Sequence, residues 1–237
     1  MATGQANDLS AGALFDVSHV TAVVTGGATG IGLMITQALQ SNGAKVYITG
    51  RRQEVLDQTV KMYSTGPGQI IALRGTKQRP ARHERRQGHL EHFLRSSEEQ
   101  WLETMQTNVV GAYFMSMAFL PLLAKGGPRR SRRTPARKRR RRTWSRMLAT
   151  IFKDVQVRVN VIAPGLFPSE MTAGKSGEDN KSTLDQSKAT NPTGRLGEER
   201  DMAATILFLA GRGGAFYNGQ IVYPDGGSTL IQPAVAN

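Results

Sequence analysis

The chain has 237 residues, of which 39% are hydrophobic and 21% are charged, so it can bury a sizeable core and is not a disordered protein. It contains no Cys, which excludes disulfide scaffolds, Cys-ligated metal sites and thiol catalysis. No apolar run reaches membrane-spanning length, and residues 1–12 have no basic stretch ahead of an apolar one, so we expect a cytoplasmic protein without a membrane partner.

The positive charge is concentrated in two segments. The net charge is +13, yet residues 127–142 alone contain ten Lys and Arg and no acid, and residues 74–95 contain seven Lys and Arg and two acids. The rest of the chain is slightly acidic, as is usual for a cytosolic domain. The two basic segments therefore need an explanation separate from that of the fold.

The first third of the chain alternates short apolar strands with helical patterns. Residues 1–18 are predicted to be an N-terminal tail. Strands are then predicted at 19–25, 45–49 and 69–73, with helices at 33–43 and 53–63 between them. This alternation indicates βαβ units, which form a parallel sheet with right-handed crossovers. We therefore expect one α/β domain over residues 19–237, interrupted by the two basic segments.

Regular patterns return after the first basic segment. A helix is predicted to start at Ser96 or Ser97, and its apolar stripe continues to residue 120. Further on we predict a helix at 144–152, a strand at 155–163, a polar loop at 172–191, a helix at 199–210 and a strand at 220–223. Neither basic segment shows helical or strand periodicity.

A glycine-rich turn, TGGATGIG, lies between the first strand and the first helix. Glycines there permit a tight turn and the close approach of a pyrophosphate, while the helix behind them offers free N–H groups and a positive dipole end. The spacing is Gly-x-x-x-Gly-x-Gly rather than the Gly-x-Gly-x-x-Gly of the standard dinucleotide fingerprint. The residues predicted to bind the cofactor at this turn are Thr25, Gly26, Thr29, Gly30, Ile31 and Gly32.

With this turn, the chain resembles the short-chain dehydrogenase/reductase family. Further motifs occur in that family's order at residues 108–111 (NVVG), 158–165 (RVNVIAPG), 191–197 (NPTGRLG) and 224–227 (PDGG). The resemblance implies a Rossmann-like, doubly wound parallel sheet and hydride transfer between a nicotinamide and a carbonyl or alcohol substrate. It also implies a homodimer or homotetramer. Within the family, the chain most resembles 3-oxoacyl-thioester reductases, including those of the rhamnolipid pathway.

The resemblance indicates which residues are expected beside the adenosine end and the nicotinamide end of the cofactor. An acid at the end of the second strand would select NAD, but Arg51 and Arg52 stand there, which favours NADP(H) because guanidinium groups can bind a 2′-phosphate. The alternative is that both arginines are merely solvated. Four residues are expected beside the nicotinamide, although Ser169 could equally be a turn or cap residue: Pro164, Gly165, Leu166 and Ser169.

The family's catalytic Tyr and Ser are not recognisable. Asn108 stands at the family's Asn, Lys138 at its Lys, and Thr134 at its Tyr. A Thr hydroxyl is far too weak an acid near neutral pH to replace Tyr, so we expect no or trace activity. Strands 4 and 5 of the family's sheet order, 3-2-1-4-5-6-7, fall where the basic segments lie, so we also expect an incomplete sheet.

Three hypotheses account for these features. The favoured one is a reductase sequence in which two stretches are frame-shifted or misspliced. The second is a pseudoenzyme that binds the cofactor without turnover. The third is a nucleic-acid-binding or nuclear-import protein, in which the basic run at residues 138–142 binds phosphates non-specifically.

Overall fold

Three parallel strands and two crossover helices form the N-terminal part of the computed structural model, which describes residues 8–74, 144–155 and 157–231. The elements there are α1 (Ala11–Leu14), β1 (Thr21–Thr25), α2 (Gly30–Ser41), β2 (Lys45–Gly50), α3 (Gln53–Tyr63) and β3 (Gln69–Arg74). The sheet order is β1-β2-β3, and both pairs are parallel. The predicted α/β class is confirmed, as are the predicted strands and helices from β1 to β3.

The described residues belong to two units. The second unit contains residues 144–155, 157–160 and 218–220, with α4 (Trp144–Ile151) and a 3-10 turn at Phe152–Val155. All other described residues belong to the first unit, whose further elements are β4 (Val161–Ile162), α5 (Glu170–Ala173), α6 (Glu199–Ala210), β5 (Ile221–Val222) and α7 (Ser228–Ile231).

Helix α2 forms where the sequence places an apolar face at helical spacing. Leu33, Ala38 and Leu39 on that face are buried, as predicted. The helix ends at Ser41, and Gly43 follows with a φ of +92°, which glycine adopts without steric cost. The chain can therefore reverse there and enter β2 two residues later.

Two apolar clusters of the first unit meet at α2. The larger lies between the three-stranded sheet and the helices and includes Val46, Ile48 and Leu56, with partly buried residues of α6 packed against it. The smaller joins Met34 of α2 to Phe167 and to Met202 of α6. Helix α2 packs against α6 along its length, so it connects the sheet to the C-terminal part of the unit.

The prediction of a strand over residues 155–163 is wrong in its length. Only Val161 and Ile162 pair as β4, in parallel register with Ile221 and Val222 of β5. Within the second unit, the Val159 N–H donates to Asn218 Oδ1 at 2.9 Å, and the Val159 carbonyl accepts from the Gly219 N–H at 2.8 Å. These backbone groups bond to a loop, so they do not extend a ladder.

The segment predicted to be a tail carries ordered contacts in its described part. Ser10 caps α1 by accepting a hydrogen bond from the Ala13 N–H at 3.3 Å. Val17 is fully buried and belongs to the larger apolar cluster. The residues just ahead of β1 therefore contribute to the core of the first unit.

The family's strands 4 and 5 are predicted to be missing from the two basic segments. Those segments lie outside the described residues, except for Arg74 at the end of β3, so this stays a prediction. Within the described part, β1 pairs with β2 on one side and with no described strand on the other. β4 and β5 form a separate two-stranded sheet. No helix in the described ranges has the length and hydropathy needed to cross a bilayer.

Replacing Val17 by Ala tests whether this segment stabilises the fold. We expect Val17→Ala to lower the free energy of unfolding by about 1–3 kcal/mol, because it removes fully buried methyl groups. The control is Val23→Ala, since Val23 is 38% exposed and should change stability much less. Urea unfolding followed by circular dichroism measures both; equal losses would show that residues before β1 do not contribute to the core.

Candidate functional site

The turn between β1 and α2 is so tight that only glycine fits at its critical positions. A Cβ at Gly32 would collide with the carbonyl oxygen of Gly26, which is backbone and cannot move aside. Gly26 and Gly30 have φ angles of +69° and +52°, in the left-handed region that favours glycine. The predicted glycine motif therefore corresponds to backbone constraints that the structure shows.

Hydrogen bonds fix this turn to its neighbours. The Gly26 N–H donates to the Thr49 carbonyl at the end of β2, at 2.7 Å. The Thr36 hydroxyl, fully buried in α2, lies 3.0 Å from the Gly27 carbonyl and 2.9 Å from the Gly32 carbonyl. The turn is therefore held against both β2 and α2, which makes it a rigid platform.

The start of α2 has the properties of an anion-binding cradle. Thr29 is its N-cap in an extended conformation, but its side chain makes no capping hydrogen bond. The first turn of α2, which includes Ile31, contains no acidic residue. No described atom lies within 4 Å of a Cβ built at Gly26. The surface at Gly26, next to Thr25 at the end of β1, is therefore open within the described residues, while Gly30 is buried against Ser169. Helix N–H groups without a capping side chain or an acid in the first turn suit a pyrophosphate.

The two arginines after β2 differ in their contacts. Arg51 is exposed and has no side-chain hydrogen bond or ion pair within the described ranges. Arg52 is the N-cap residue of α3, and its Nη2 lies 2.7 Å from Oε1 of Glu170 on α5. Arg51 is therefore the arginine more readily available to a ligand, whereas Arg52 already has a carboxylate partner.

The segment after β4 lies close to β5 and its following turn. The Gly165 N–H donates to the Pro224 carbonyl at 3.2 Å, and a Cβ at Gly165 would come within 2.7 Å of the Asp225 Cα. The Leu166 carbonyl accepts from the Gly197 N–H at 2.9 Å. Glycine after Pro164 is thus required by the close approach of two backbone segments.

Ser169 brings this segment to the glycine turn. Its Cβ would be 3.0 Å from a Cβ placed on Gly30, so the two residues are in close contact. Ser169 is the N-cap of α5, with its Oγ accepting from the Thr172 N–H at 3.4 Å, and Thr172 Oγ1 accepts from the Ser169 N–H at 2.9 Å. The structure gives Ser169 the capping role that was the alternative in the sequence, at a place adjoining the predicted cofactor turn.

Two cavities adjoin these segments within the first unit. One, of about 380 Å³, lies beside the start of α2 and is lined by Gly30, Leu33, Met34, Pro168, Lys181, Ser182, Gln186 and the segment 196–200. The other, of about 310 Å³, is lined by Gly165, Leu166, Phe167, Asn191, Thr193, Arg195, Leu196, Gly197, Asp201, Ala204, Pro224, Asp225 and Gly226. The residues after β4 contribute to both cavities.

An ion pair organises the wall of the 310 Å³ cavity. Arg195 donates Nη1 and Nη2 to the two carboxylate oxygens of Asp201, at 2.6 and 2.9 Å. These hydrogen bonds lower the pKa of the Asp201 carboxyl below its ordinary value. The Arg195 carbonyl in turn accepts from Asn191 Nδ2 at 2.8 Å, so the NPTGRLG motif serves as a structural brace.

The turn after β5 is braced by a second carboxylate. Asp225 accepts hydrogen bonds from the backbone N–H groups of Thr229 and Gly227, each at 2.9 Å, and these bonds lower the pKa of its carboxyl. A Cβ at Gly226 would collide with the Thr193 hydroxyl, so this turn packs directly on the NPTGRLG motif. The PDGG motif thus shapes the cavity wall.

The predicted catalytic residues Asn108, Thr134 and Lys138 lie outside the described residues. Two residues that no sequence pattern predicted lie near the start of α3 and against its side. Glu170 contacts Arg52, and Asn180 is buried with its Nδ2 3.1 Å from Thr59 Oγ1. Both come from the stretch around the polar loop, where no local pattern indicates a contact more than a hundred residues away.

Two family models match the chain. Residues 20–86 match the model described as short chain dehydrogenase, and residues 135–229 match the model described as Enoyl-(Acyl carrier protein) reductase. The first range contains the glycine turn and both arginines, and the second contains the NPTGRLG and PDGG motifs.

Known proteins are similar over nearly the whole chain. The short-chain dehydrogenase/reductase PhomF′ of Diaporthe leptostromiformis is 36% identical over 285 aligned positions, covering 95% of this chain and 97% of that protein. The rhamnolipids biosynthesis 3-oxoacyl-(acyl-carrier-protein) reductase of Pseudomonas aeruginosa is 30% identical, covering 91% of this chain and 98% of that protein. The alignment with PhomF′ is longer than the 237 residues of this chain, so that relative has residues without a counterpart here.

Solved structures show the same fold. The Pseudomonas aeruginosa RhlG/NADP active-site complex superposes with a TM-score of 0.67 and 28% identity, covering 91% of this chain and 98% of that chain. The L-sorbose reductase of Gluconobacter frateurii, solved with NADPH and L-sorbose, has a TM-score of 0.66 at 18% identity, covering 93% of this chain and all of that chain. At that identity the second likeness concerns the fold alone.

The Arg195–Asp201 pair predicts a pH-dependent contribution to stability. The pKa of Asp201 is lower in the folded state than in the unfolded state. The stability that its carboxylate contributes is therefore fully present above the ordinary pKa of about 4, and it is lost as the pH falls through the lowered folded-state pKa. Asp201→Asn should therefore lower the melting temperature most at pH 5–7, with the difference from the parent shrinking by about pH 2.

The matched control is Asp154→Asn, which removes an exposed carboxylate whose ion pair is with the adjacent Lys153. This variant should melt close to the parent at every pH. Thermal unfolding followed by circular dichroism from pH 2 to pH 7 gives both curves. A difference between Asp201→Asn and the parent that stays constant with pH would contradict a role for the Asp201 charge.

Proposed function

This chain belongs to the short-chain dehydrogenase/reductase family, and on that premise we propose that it binds NADP(H) for hydride transfer between the nicotinamide and a carbonyl or alcohol carbon. The observation that carries the proposal is the geometry of the glycine turn. Its backbone conformations admit only glycine at the close contacts, the surface at Gly26 is open within the described residues, and the first turn of α2 contains no acid. These properties fit the pyrophosphate of a dinucleotide.

The residues of this chain would hold the cofactor at two places. Gly26, Gly30 and the first N–H groups of α2 would bind the pyrophosphate, and the hydrogen bond from Gly26 to Thr49 holds the turn in place for it. The segment from Pro164 to Ser169, at the carboxyl end of β4, would border the nicotinamide, because ligands of such sheets bind at that edge. When bound, the nicotinamide supplies or accepts the hydride.

The preference for NADP(H) rests on charge at the end of β2. No acid follows β2 directly, and Arg51 is exposed without a described partner. A guanidinium binds a phosphate through paired, charge-assisted hydrogen bonds, which an adenosine ribose without a 2′-phosphate cannot form. The solved complex of Pseudomonas aeruginosa RhlG with NADP, which is 28% identical to this chain, agrees with this preference.

Proton transfer is where this chain departs from its family. Asn108 and Lys138 stand at positions of the family's proton relay, and Thr134 stands where the Tyr is expected. A neutral Thr hydroxyl cannot donate a proton efficiently near neutral pH, so the acid step should be slow even with cofactor bound.

The substrate class that we propose, 3-oxoacyl thioesters, follows from the similarity to the rhamnolipids biosynthesis reductase.

Charge reversal at Arg51 tests the cofactor assignment. We expect Arg51→Asp to weaken NADPH binding roughly 10- to 100-fold and to leave NADH binding nearly unchanged, because only NADPH carries the 2′-phosphate. The control is Arg212→Asp, the same change at another exposed arginine of the first unit. Nucleotide fluorescence titration gives the dissociation constants of NADPH and NADH for the parent and for both variants. An equal effect of both substitutions would remove Arg51 from the cofactor site.

An NADPH-oxidation assay with small ketones and 3-oxoacyl thioesters tests the missing proton donor. We expect NADPH binding with no or trace turnover, since loss of a general acid costs a factor of about 10²–10⁴. Binding without turnover is the behaviour of a cofactor-binding pseudoenzyme. Robust turnover that is lost in Thr134→Ala or Lys138→Ala would show that a competent relay exists, with these residues in it.

A further inference from the structure

A segment after β4 contacts the glycine turn at one end and α3 at the other. We define the strap as residues 169–182, which begins with α5 and continues into the polar loop. At its start, Ser169 lies against Gly30 of the glycine turn. At its end, Asn180 is buried on α3 with its Nδ2 3.1 Å from Thr59 Oγ1. The strap therefore spans from the cofactor turn to the helix that follows the two arginines.

Glu170 is positioned on this strap to meet Arg52. Its Oε1 lies 2.7 Å from Arg52 Nη2 and accepts a hydrogen bond from Ser176 Oγ at 3.1 Å. The capping box of Ser169 and Thr172 holds the first turn of α5, where Glu170 lies. The carboxylate is thus held in place by the strap itself, and Arg52 and Ser176 both donate to its Oε1.

We propose that Glu170 competes with the 2′-phosphate of NADP(H) for Arg52, and so reduces the selectivity of this chain for NADP(H) over NAD(H). The inference rests on the proposed function. Here a carboxylate from a distant segment reaches the arginine that directly precedes α3. A phosphate and a carboxylate both bind a guanidinium fork, so the two anions exclude each other at Arg52.

The exposure of the pair makes the exchange feasible. The side chains of Arg52 and Glu170 are 50% and 33% exposed, and ion pairs of that kind contribute little because water and salt screen them. A doubly charged phosphate can therefore replace Glu170 without breaking a buried interaction. Arg51, which has no described partner, would remain available to the same phosphate.

The far end of the strap has its own anchors, so the exchange can stay local. The Tyr63 hydroxyl donates to the Asp179 carbonyl at 2.6 Å, and Gln58 Nε2 donates to the Glu178 carbonyl at 2.5 Å. Lys181 pairs with Glu199 of α6 at 2.7 Å. None of these contacts involves the Glu170 carboxylate, and release of Arg52 would leave them intact.

Neutralising Glu170 tests the competition. We expect Glu170→Gln to tighten NADPH binding roughly two- to fivefold and to leave NADH binding unchanged, because an exposed ion pair of that strength no longer has to be broken. The control is Glu178→Gln, an exposed carboxylate on the same strap whose backbone carbonyl, not its side chain, contacts α3. This control should change neither dissociation constant.

A double-mutant cycle with Arg52→Gln separates competition from a structural effect. In the Arg52→Gln background, Glu170→Gln should no longer affect NADPH binding, because there is no guanidinium left to release. An unchanged ratio of NADPH to NADH affinity in Glu170→Gln, or the same gain with and without Arg52, would overturn the inference while the cofactor assignment stands. Failure of the parent chain to bind either nucleotide would overturn the proposed function and this inference together.

Glu170→Ala guards against an effect specific to the Gln side chain. It should tighten NADPH binding in the same direction as Glu170→Gln, since both remove the carboxylate. Melting temperatures of all variants, measured without nucleotide, show whether each is folded, and 2′-AMP as a competitor reports on the 2′-phosphate contact alone. A gain for NADPH without a matching gain for 2′-AMP would count against competition at Arg52.

Discussion

The rest of the first unit depends on one close contact, in which the first turn of α2 approaches the carbonyl of Gly26. With no side chain at Gly32, α2 can start directly behind β1 and lie across the sheet. From there its two faces reach both apolar clusters, one over the sheet and one against α6. A side chain at Gly32 would push the helix away from both, so the packing of the unit and its anion cradle share one steric requirement.

The C-terminal part of the first unit shapes the site through close backbone contacts. Gly165 approaches Asp225, and the turn around Gly226 packs on the NPTGRLG segment, where Arg195 and Asp201 form a bidentate pair. These motifs act by placing the backbone after β4 next to the start of α2. The chemistry expected at that edge depends on this framework, although none of the bracing residues has to touch a substrate.

Charge has different consequences in different parts of the chain. The strongly basic run at residues 138–142 stands out in the sequence, yet the arginines that we propose to bear on cofactor choice are the two after β2. Their surroundings decide what they can do: Arg51 is exposed, and Arg52 is paired with Glu170. In the interpretation proposed above, the local balance between an arginine and a nearby carboxylate affects phosphate binding more than the net charge of the chain does.

The sequence by itself determined the α/β class, the elements from β1 to β3, the glycine turn and α6, because periodicity and glycine spacing are local properties. It overestimated the strand ending at Ile162, since strand pairing depends on which backbone groups a distant segment leaves unpaired. It also placed Ser169 and Arg52 near the cofactor without indicating their partners. Only the tertiary structure decided that Ser169 lies against Gly30 and that Glu170 reaches Arg52, because those contacts join residues more than a hundred positions apart.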